Sequence, residues 1–229
     1  VTINPTGTFV EGSSYYVQIA ATGFDDTALN DYAGIADQTT WNFTVADTTA
    51  PTVTVVVTPD PAKAGTVTFV LTFNEAMNQS VAPVVTFGLL SPYNQNAVTA
   101  STGWDSATQW TGTGTAAADD EGTNTISVSV AEDVAGNPMA TDTSKTFVVD
   151  TTAPTVSVYS PLDNATDVGA SDNLVLDFSE NVVAGSGDIV IYNSDTSVKE
   201  TIPVGDARVT IANDIVTINP TGTFVEGSS

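Results

Sequence analysis

The first fourteen residues of the chain, Val1–Ser14 (VTINPTGTFVEGSS), recur without change at Val216–Ser229. Fourteen consecutive identities do not arise by chance, so the offset of 215 residues (216 − 1) is a repeat period. It implies a tandem array in which one folding unit straddles the period boundary. The expectation is a parent protein longer than this chain, which starts in mid-pattern without Met. A hexapeptide, DTTAPT, marks the other boundaries. It stands at Asp47–Thr52 and at Asp150–Thr155, 103 residues apart (150 − 47), each time between strand-like apolar runs. Pro51 and Pro154 hold φ near −65° within it and limit how far the chain bends there.

A weaker repeat lies inside the first. Leu71, Phe73 and Glu75 of TFVLTFNEAM fall on Leu176, Phe178 and Glu180 of NLVLDFSENV, each 105 residues on (180 − 75). The period therefore holds two related domains. Residues 49–152 form a complete one. Residues 153–229 are the N-terminal half of the other, and residues 1–48 are its C-terminal half by periodicity.

Period-2 alternation runs through both. In the complete domain Val53, Val55 and Val57 share one strand face, as do Val67, Phe69, Leu71 and Phe73 of the next strand. The third strand, around residues 84–88, is apolar on both faces, and its pattern does not say which is buried. AVTAST, TQWTGTG, TISVSVA (with Ile126, Val128 and Val130 inward) and KTFVVD bring the number to seven. Pro, Gly, Asn and Asp punctuate them, and no segment keeps a helical period. Short alternating strands at this spacing predict an all-β fold: tandem immunoglobulin-like Greek-key sandwiches in an elongated rod, without the Cys…Trp…Cys core. The split domain reads the same way from TVSVYS, NLVLDF, DIVIYN, ARVTIA, IVTINP, YYVQIAA and WNFTVA. A sandwich roughly 40 Å long between its halves keeps them from meeting within one chain. Either the chain is a window onto a longer fibre, or the 153–229 half of one molecule accepts strands from the 1–48 half of the next.

Composition decides what such sandwiches can do. Acidic residues outnumber basic ones 27 to 4, for a formal net charge of −23, so nucleic acid and anionic membranes are repelled and cations attracted. With neither Cys nor His, there is no disulfide framework, no Cys/His zinc site, and no Ser-His-Asp or Cys-His chemistry. No apolar run approaches the ~18 residues of a membrane span. An enzyme is not expected. Glu75 and Glu180 are equivalent positions of different domains, not a carboxylate pair facing across a cleft.

Alternating strand direction returns the loops after the second, fourth and sixth strands to the end where the linker enters. That end collects Asp47 from the linker, Glu75 from the second-strand loop, and Glu132, Asp133 and Asn137 from the sixth. Unneutralised, such carboxylates repel one another; a hard cation reverses the sign. Ca²⁺, taking six to eight oxygens, suits the set better than Mg²⁺ with its strict octahedral geometry. Solvated loop carboxylates are the plain alternative. The second boundary repeats the pattern with Asp150 and Glu180, and its sixth loop would be GFDDTALNDYAG, with Asp25, Asp26, Asn30 and Asp31. That loop lies at the opposite end of this chain, so the second site is expected to be incomplete in a single copy. Trp104 and Trp110 could instead offer a sugar platform, although tryptophans in sandwiches more often pack.

The DTTAPT linkers, FSENV and FNEAM after the second strands, VTINPTGTFVEGSSYYVQI and WNFTVADTTAP resemble the bacterial Ig-like repeats of large surface adhesins and surface fibres. The resemblance covers essentially the whole chain. It implies extracellular display on a bacterial surface, tandem rods and, in many members, structural Ca²⁺ at domain junctions. Asp47, Glu75, Asp133 and Asn137 match the junction pattern, as do Asp150, Glu180, Asp26 and Asp31; the long FDDTALNDYAG loop departs from the short DxAGN form. The functional expectation is a non-enzymatic extender that meets adjacent repeats or neighbouring chains of a filament. The alternatives are a carbohydrate- or protein-binding module, or a subunit that polymerises by inter-chain strand complementation.

Overall fold

The computed structural model describes residues 2–221. It is all-β, with no α-helix among these residues. The chain divides into two compact units, Val1–Thr151 and Thr152–Ser229.

All seven strands that the alternation predicts for the complete domain form: β3 (Val53–Thr58), β4 (Gly65–Phe73), β5 (Val84–Gly88), β6 (Asn96–Trp104), β7 (Gln109–Ala116), β8 (Gly122–Ser129) and β9 (Thr146–Val149). They follow the order β3-β4-β7-β6-β5-β8-β9, with neighbours antiparallel. Lettered A to G along the chain, this is A-B-E-D-C-F-G, the immunoglobulin-like arrangement in which ABED faces CFG. Strand β6 serves both layers. Asn96–Val98 pair with β5, Thr99–Trp104 pair with β7, and a bulge between Ala100 and Gly103 turns the strand. At the far margin Ala62 bridges Val149 in parallel, which ties the loop after β3 to β9.

The expected inward faces make the core. Val67, Phe69 and Leu71 are completely buried, and Phe69, Phe87 and Phe147 meet at ring-centroid distances of 5.2–5.6 Å. Structure settles the question left open for β5: Val85 and Phe87 point inward while Val84 is exposed. One expectation fails. Val130 is exposed, and Ala131 takes the inner place. The cause is Val130's φ of 72°, a left-handed turn that shifts the alternation by one residue at the end of β8. Gly112 and Gly114 on β7 are packing requirements. A Cβ at Gly112 would stand 2.3 Å from the Trp110 ring and 2.8 Å from the Thr99 carbonyl oxygen.

The first unit also holds β1 (Ser14–Tyr16) and β2 (Asn42–Thr44), an antiparallel pair. The expected strand YYVQIAA is shorter than predicted; beyond β1 it continues as a single bridge, Ile19 to Ile35. Phe9, Tyr15 and Phe43 form the aromatic cluster of this segment.

The second unit carries β10 (Val156–Ser160), β11 (Leu174–Phe178), β12 (Asp188–Tyr192), β13 (Val198–Pro203), β14 (Val209–Ala212) and β15 (Ile215–Ile218). Its sheets are β10-β11-β15-β14 and β12-β13. The alternation does not predict strand β13, because Lys199 and Glu200 interrupt its apolar character. Its Ile202 is nevertheless completely buried. The residues after 221 of the repeated VTINPTGTFVEGSS lie outside the described residues.

Candidate metal centre

Three loops meet at the linker end of the complete domain, as alternating strand direction requires. The loop after β4 is fastened to the loop after β6 by Met77 N–H donating to the Ala107 carbonyl (2.8 Å) and Gln79 Nε2 donating to the Ser106 carbonyl (2.8 Å). It is fastened to the loop after β8 by Asn78 N–H donating to the Glu132 carbonyl (2.9 Å) and Val134 N–H donating to the Ala76 carbonyl (3.2 Å). The linker joins through Thr52 N–H, which donates to Asn74 Oδ1 at 2.6 Å. Segments far apart in sequence are thereby held side by side.

Carboxylate oxygens of Asp47, Glu75 and Asp133 lie within 4.8 Å of one another at this meeting point. Among the described residues this is the one group of three or more acidic side chains so placed. Asp133 is buried; Asp47 and Glu75 are half-buried. Asn137 organises the cluster. Its backbone N–H and side-chain amide both donate to Asp133, at 2.8 and 2.7 Å, and Nδ2 also reaches the Asp47 carbonyl at 3.2 Å. The tight turn is closed by Gly136, whose N–H donates to the Asp133 carbonyl (3.2 Å) and whose φ of 91° suits glycine. On the linker side, Thr49 N–H donates to Asp47 Oδ1 at 3.1 Å, and Glu11 accepts from Thr48 Oγ1 and Thr49 Oγ1, both at 2.7 Å.

Protonation equilibria reflect this crowding. Burial, then the charges of Asp47 and Asp133, push the Glu75 pKa above its ordinary value, against a smaller opposing bond from Asn74. For Asp133 burial pushes upward too, but bonds from the Asn137 amide and from the backbone N–H groups of Asn137, Gly136 and Ala135 outweigh it and hold the pKa low. One carboxylate is thus fixed in its charged form while its neighbour resists ionisation. A site of this kind gains most from a cation, which removes the repulsion and accepts the oxygens already gathered. With three carboxylates gathered and the Asp47 carbonyl beside them, the all-oxygen chemistry of the donor set fits a hard ion such as Ca²⁺.

The other sequence-derived positions lie elsewhere. The Glu132 carboxylate accepts Asn78 Nδ2 at 2.8 Å, fastening one loop to the other outside the trio. Asp26 accepts the N–H groups of Ala28 and Asn30 and the Asn30 amide, at 2.7–2.8 Å, which holds its pKa low and its loop closed. Asp25 and Asp31 face each other across an isolated bridge. All three are exposed and stand apart from the cluster. Asp150 is the next-to-last residue of the first unit, its N–H donating to the Ala62 carbonyl at 2.8 Å; Glu180 follows β11 in the second. The tryptophan platform does not exist. Trp110 is 2% exposed within the core, and Trp104 packs on Phe73 at a centroid distance of 5.5 Å. The organising contributions of Asn74 and Glu11 carry no sequence signal, since neither belongs to a spaced motif.

Fold and site together define an immunoglobulin-like β-sandwich with acidic loops gathered at one end. Residues 150–229 match the family model of the bacterial Ig-like domain, so the sequence resemblance holds over that stretch. Domains of this family are generally non-catalytic structural modules and typically occur in surface or extracellular bacterial proteins. Comparison with curated proteins and with solved structures returns no match. No helix among the described residues is long and apolar enough to cross a membrane.

Proposed function

We propose that this chain is a non-enzymatic extender of a bacterial extracellular adhesin or surface filament, stiffened by Ca²⁺ where the linker enters the complete sandwich. The observation that carries the reading is the convergence of Asp47, a linker residue, with Glu75 and Asp133, which belong to two loops of the sandwich. A cation shared by all three couples the orientation of the linker to the domain. Without it, the −23 charge and the local carboxylate repulsion favour bending. The partners are adjacent repeats, and any glycan or protein target belongs to another part of the parent protein.

Small-angle scattering tests the reading. With Ca²⁺ at about 10 mM, above the ~0.1–1 mM affinity of extracellular sites, the maximum dimension exceeds that in EDTA and the distribution of distances narrows. Identical profiles in the two conditions would remove the stiffening role.

A further inference from the structure

A Glu-Gly motif stands at the entrance to β1 and again at the entrance to β8, as Glu11-Gly12-Ser13 and Glu121-Gly122-Thr123. Both glycines have positive φ, 70° at Gly12 and 112° at Gly122. Strand pairing sets each motif against the strand end that runs into a DTTAPT linker. Gly12 N–H donates to the Val45 carbonyl at 3.1 Å, and Gly122 pairs with Val149. Each glutamate then grips the same linker position. Glu11 accepts Thr48 Oγ1 at 2.7 Å and Thr48 N–H at 3.4 Å, and it takes Thr49 Oγ1 at 2.7 Å as well. Glu121 accepts Thr151 Oγ1 at 2.6 Å and Thr151 N–H at 2.8 Å. Thr48 and Thr151 are each the second residue of their hexapeptide. The glutamate–threonine separations differ, at 37 and 30 residues, so the common contact is made by the strand pairing and not by local spacing.

We propose that the two Glu-Gly motifs are linker latches, and that Glu11 is thereby a positioning residue for the acidic cluster, holding Asp47 where Glu75 and Asp133 meet it. The positioning role rests on the cation reading; the latch itself does not. Asp47 directly precedes the latched threonines. Its side chain accepts Thr49 N–H at 3.1 Å, and its carbonyl accepts Asn137 Nδ2 at 3.2 Å. Threonines held by Glu11 on one side, and an amide of the Asp133 loop on the other, leave Asp47 little freedom. A carboxylate that accepts hydroxyl and amide donors makes charge-assisted bonds, the stronger class. A linker ordered in advance has less freedom to lose when a cation draws on Asp47, which raises the affinity without adding a ligand. Glu121 provides the comparison: it grips its linker in the same way, and among the described residues no second carboxylate trio accompanies it.

Amide NMR on the full chain tests both parts. The parent, Glu11→Ala, Glu121→Ala and the double variant Thr48→Val/Thr49→Val are compared in EDTA and during titration with Ca²⁺. Glu11, Glu121, Thr48 and Thr49 are all exposed, so the variants leave the core untouched. In EDTA, backbone order parameters at positions 48 and 49 are expected to fall from about 0.85 to below ~0.6 in Glu11→Ala and in the double variant. The same loss is expected at Thr151 in Glu121→Ala. Ca²⁺ affinity should drop about fivefold, the low end for coupled equilibria, in Glu11→Ala and in the double variant, and stay unchanged in Glu121→Ala. The double variant keeps the Glu11 charge. A loss confined to Glu11→Ala would therefore mark a charge effect and overturn the positioning role, as would a loosened linker with unchanged affinity. Unchanged linker order in EDTA overturns the latch. A parent that binds no Ca²⁺ refutes the cation reading and the positioning role with it, while linker order in EDTA still decides the latch.

Discussion

Substitution of Glu75 by Gln separates a cation site from a merely acidic surface, because the two readings predict opposite signs. Glu75 lies within 4.8 Å of two other carboxylates, and at that distance a pair of like charges costs about 0.9 kcal/mol at the dielectric constant of water. Two neighbours give ~1.7 kcal/mol, and screening with a ~10 Å Debye length leaves about 1 kcal/mol. Gln keeps the shape and removes the charge. In EDTA the variant should therefore be more stable than the parent, with a melting temperature raised by ~4 °C for a domain of about 100 residues. In about 10 mM Ca²⁺ the parent should gain ~1.4–2.7 kcal/mol by mass action, or roughly 6–11 °C, while the variant loses most of that response. The two proteins thus exchange rank between EDTA and Ca²⁺ in paired calorimetric melts. A variant less stable than the parent in both buffers would refute the reasoning, since Glu75 would then act through its bond to Asn74. A parent indifferent to Ca²⁺ would refute it equally.

Other consequences follow from the packing and from the second unit. Phe87→Ala empties the centre of the aromatic cluster and should cost ~3–5 kcal/mol in urea unfolding followed by tryptophan fluorescence. Gly112→Ala should cost ~1–3 kcal/mol in the same assay, because the added methyl meets the Thr99 backbone, which cannot step aside. Asp206 is drawn from an ordinary 3.8 to about 2, first by its side-chain bond from Arg208 and then by the Arg208 backbone N–H and charge. A depressed folded-state pKa stabilises above the unfolded value and loses that contribution as pH falls through the folded one. Arg208→Met should therefore weaken the second unit at neutral pH, with the deficit shrinking between about pH 4 and pH 2 in acid titrations followed by circular dichroism.

Much of this architecture is written in one-dimensional form. Alternating runs such as Val67–Phe73 determine strand, inner face and core at once, because the pleat sends every second side chain to the same side. The exact repeat of Val1–Ser14 at Val216–Ser229 is visible without any coordinates, and the expected split domain rests on it alone. Strand direction alone brings Glu75, Asp133 and Asp47 to one end. What sequence could not decide depended on contacts between distant segments. The left-handed turn at Val130 moves Ala131 into the core, and no local pattern announces it. Strand β13 hides behind Lys199 and Glu200, and Glu200, on the same face as the buried Ile202, is accommodated there by its ion pair with Arg208. Glu132 and Asp133 are neighbours in sequence with equal prior claim to a cation. Only the folded loops separate them, turning one toward Asn78 and the other toward Asn137. Which carboxylates gather is a matter of a few ångströms, and those distances exist only after the sandwich has closed.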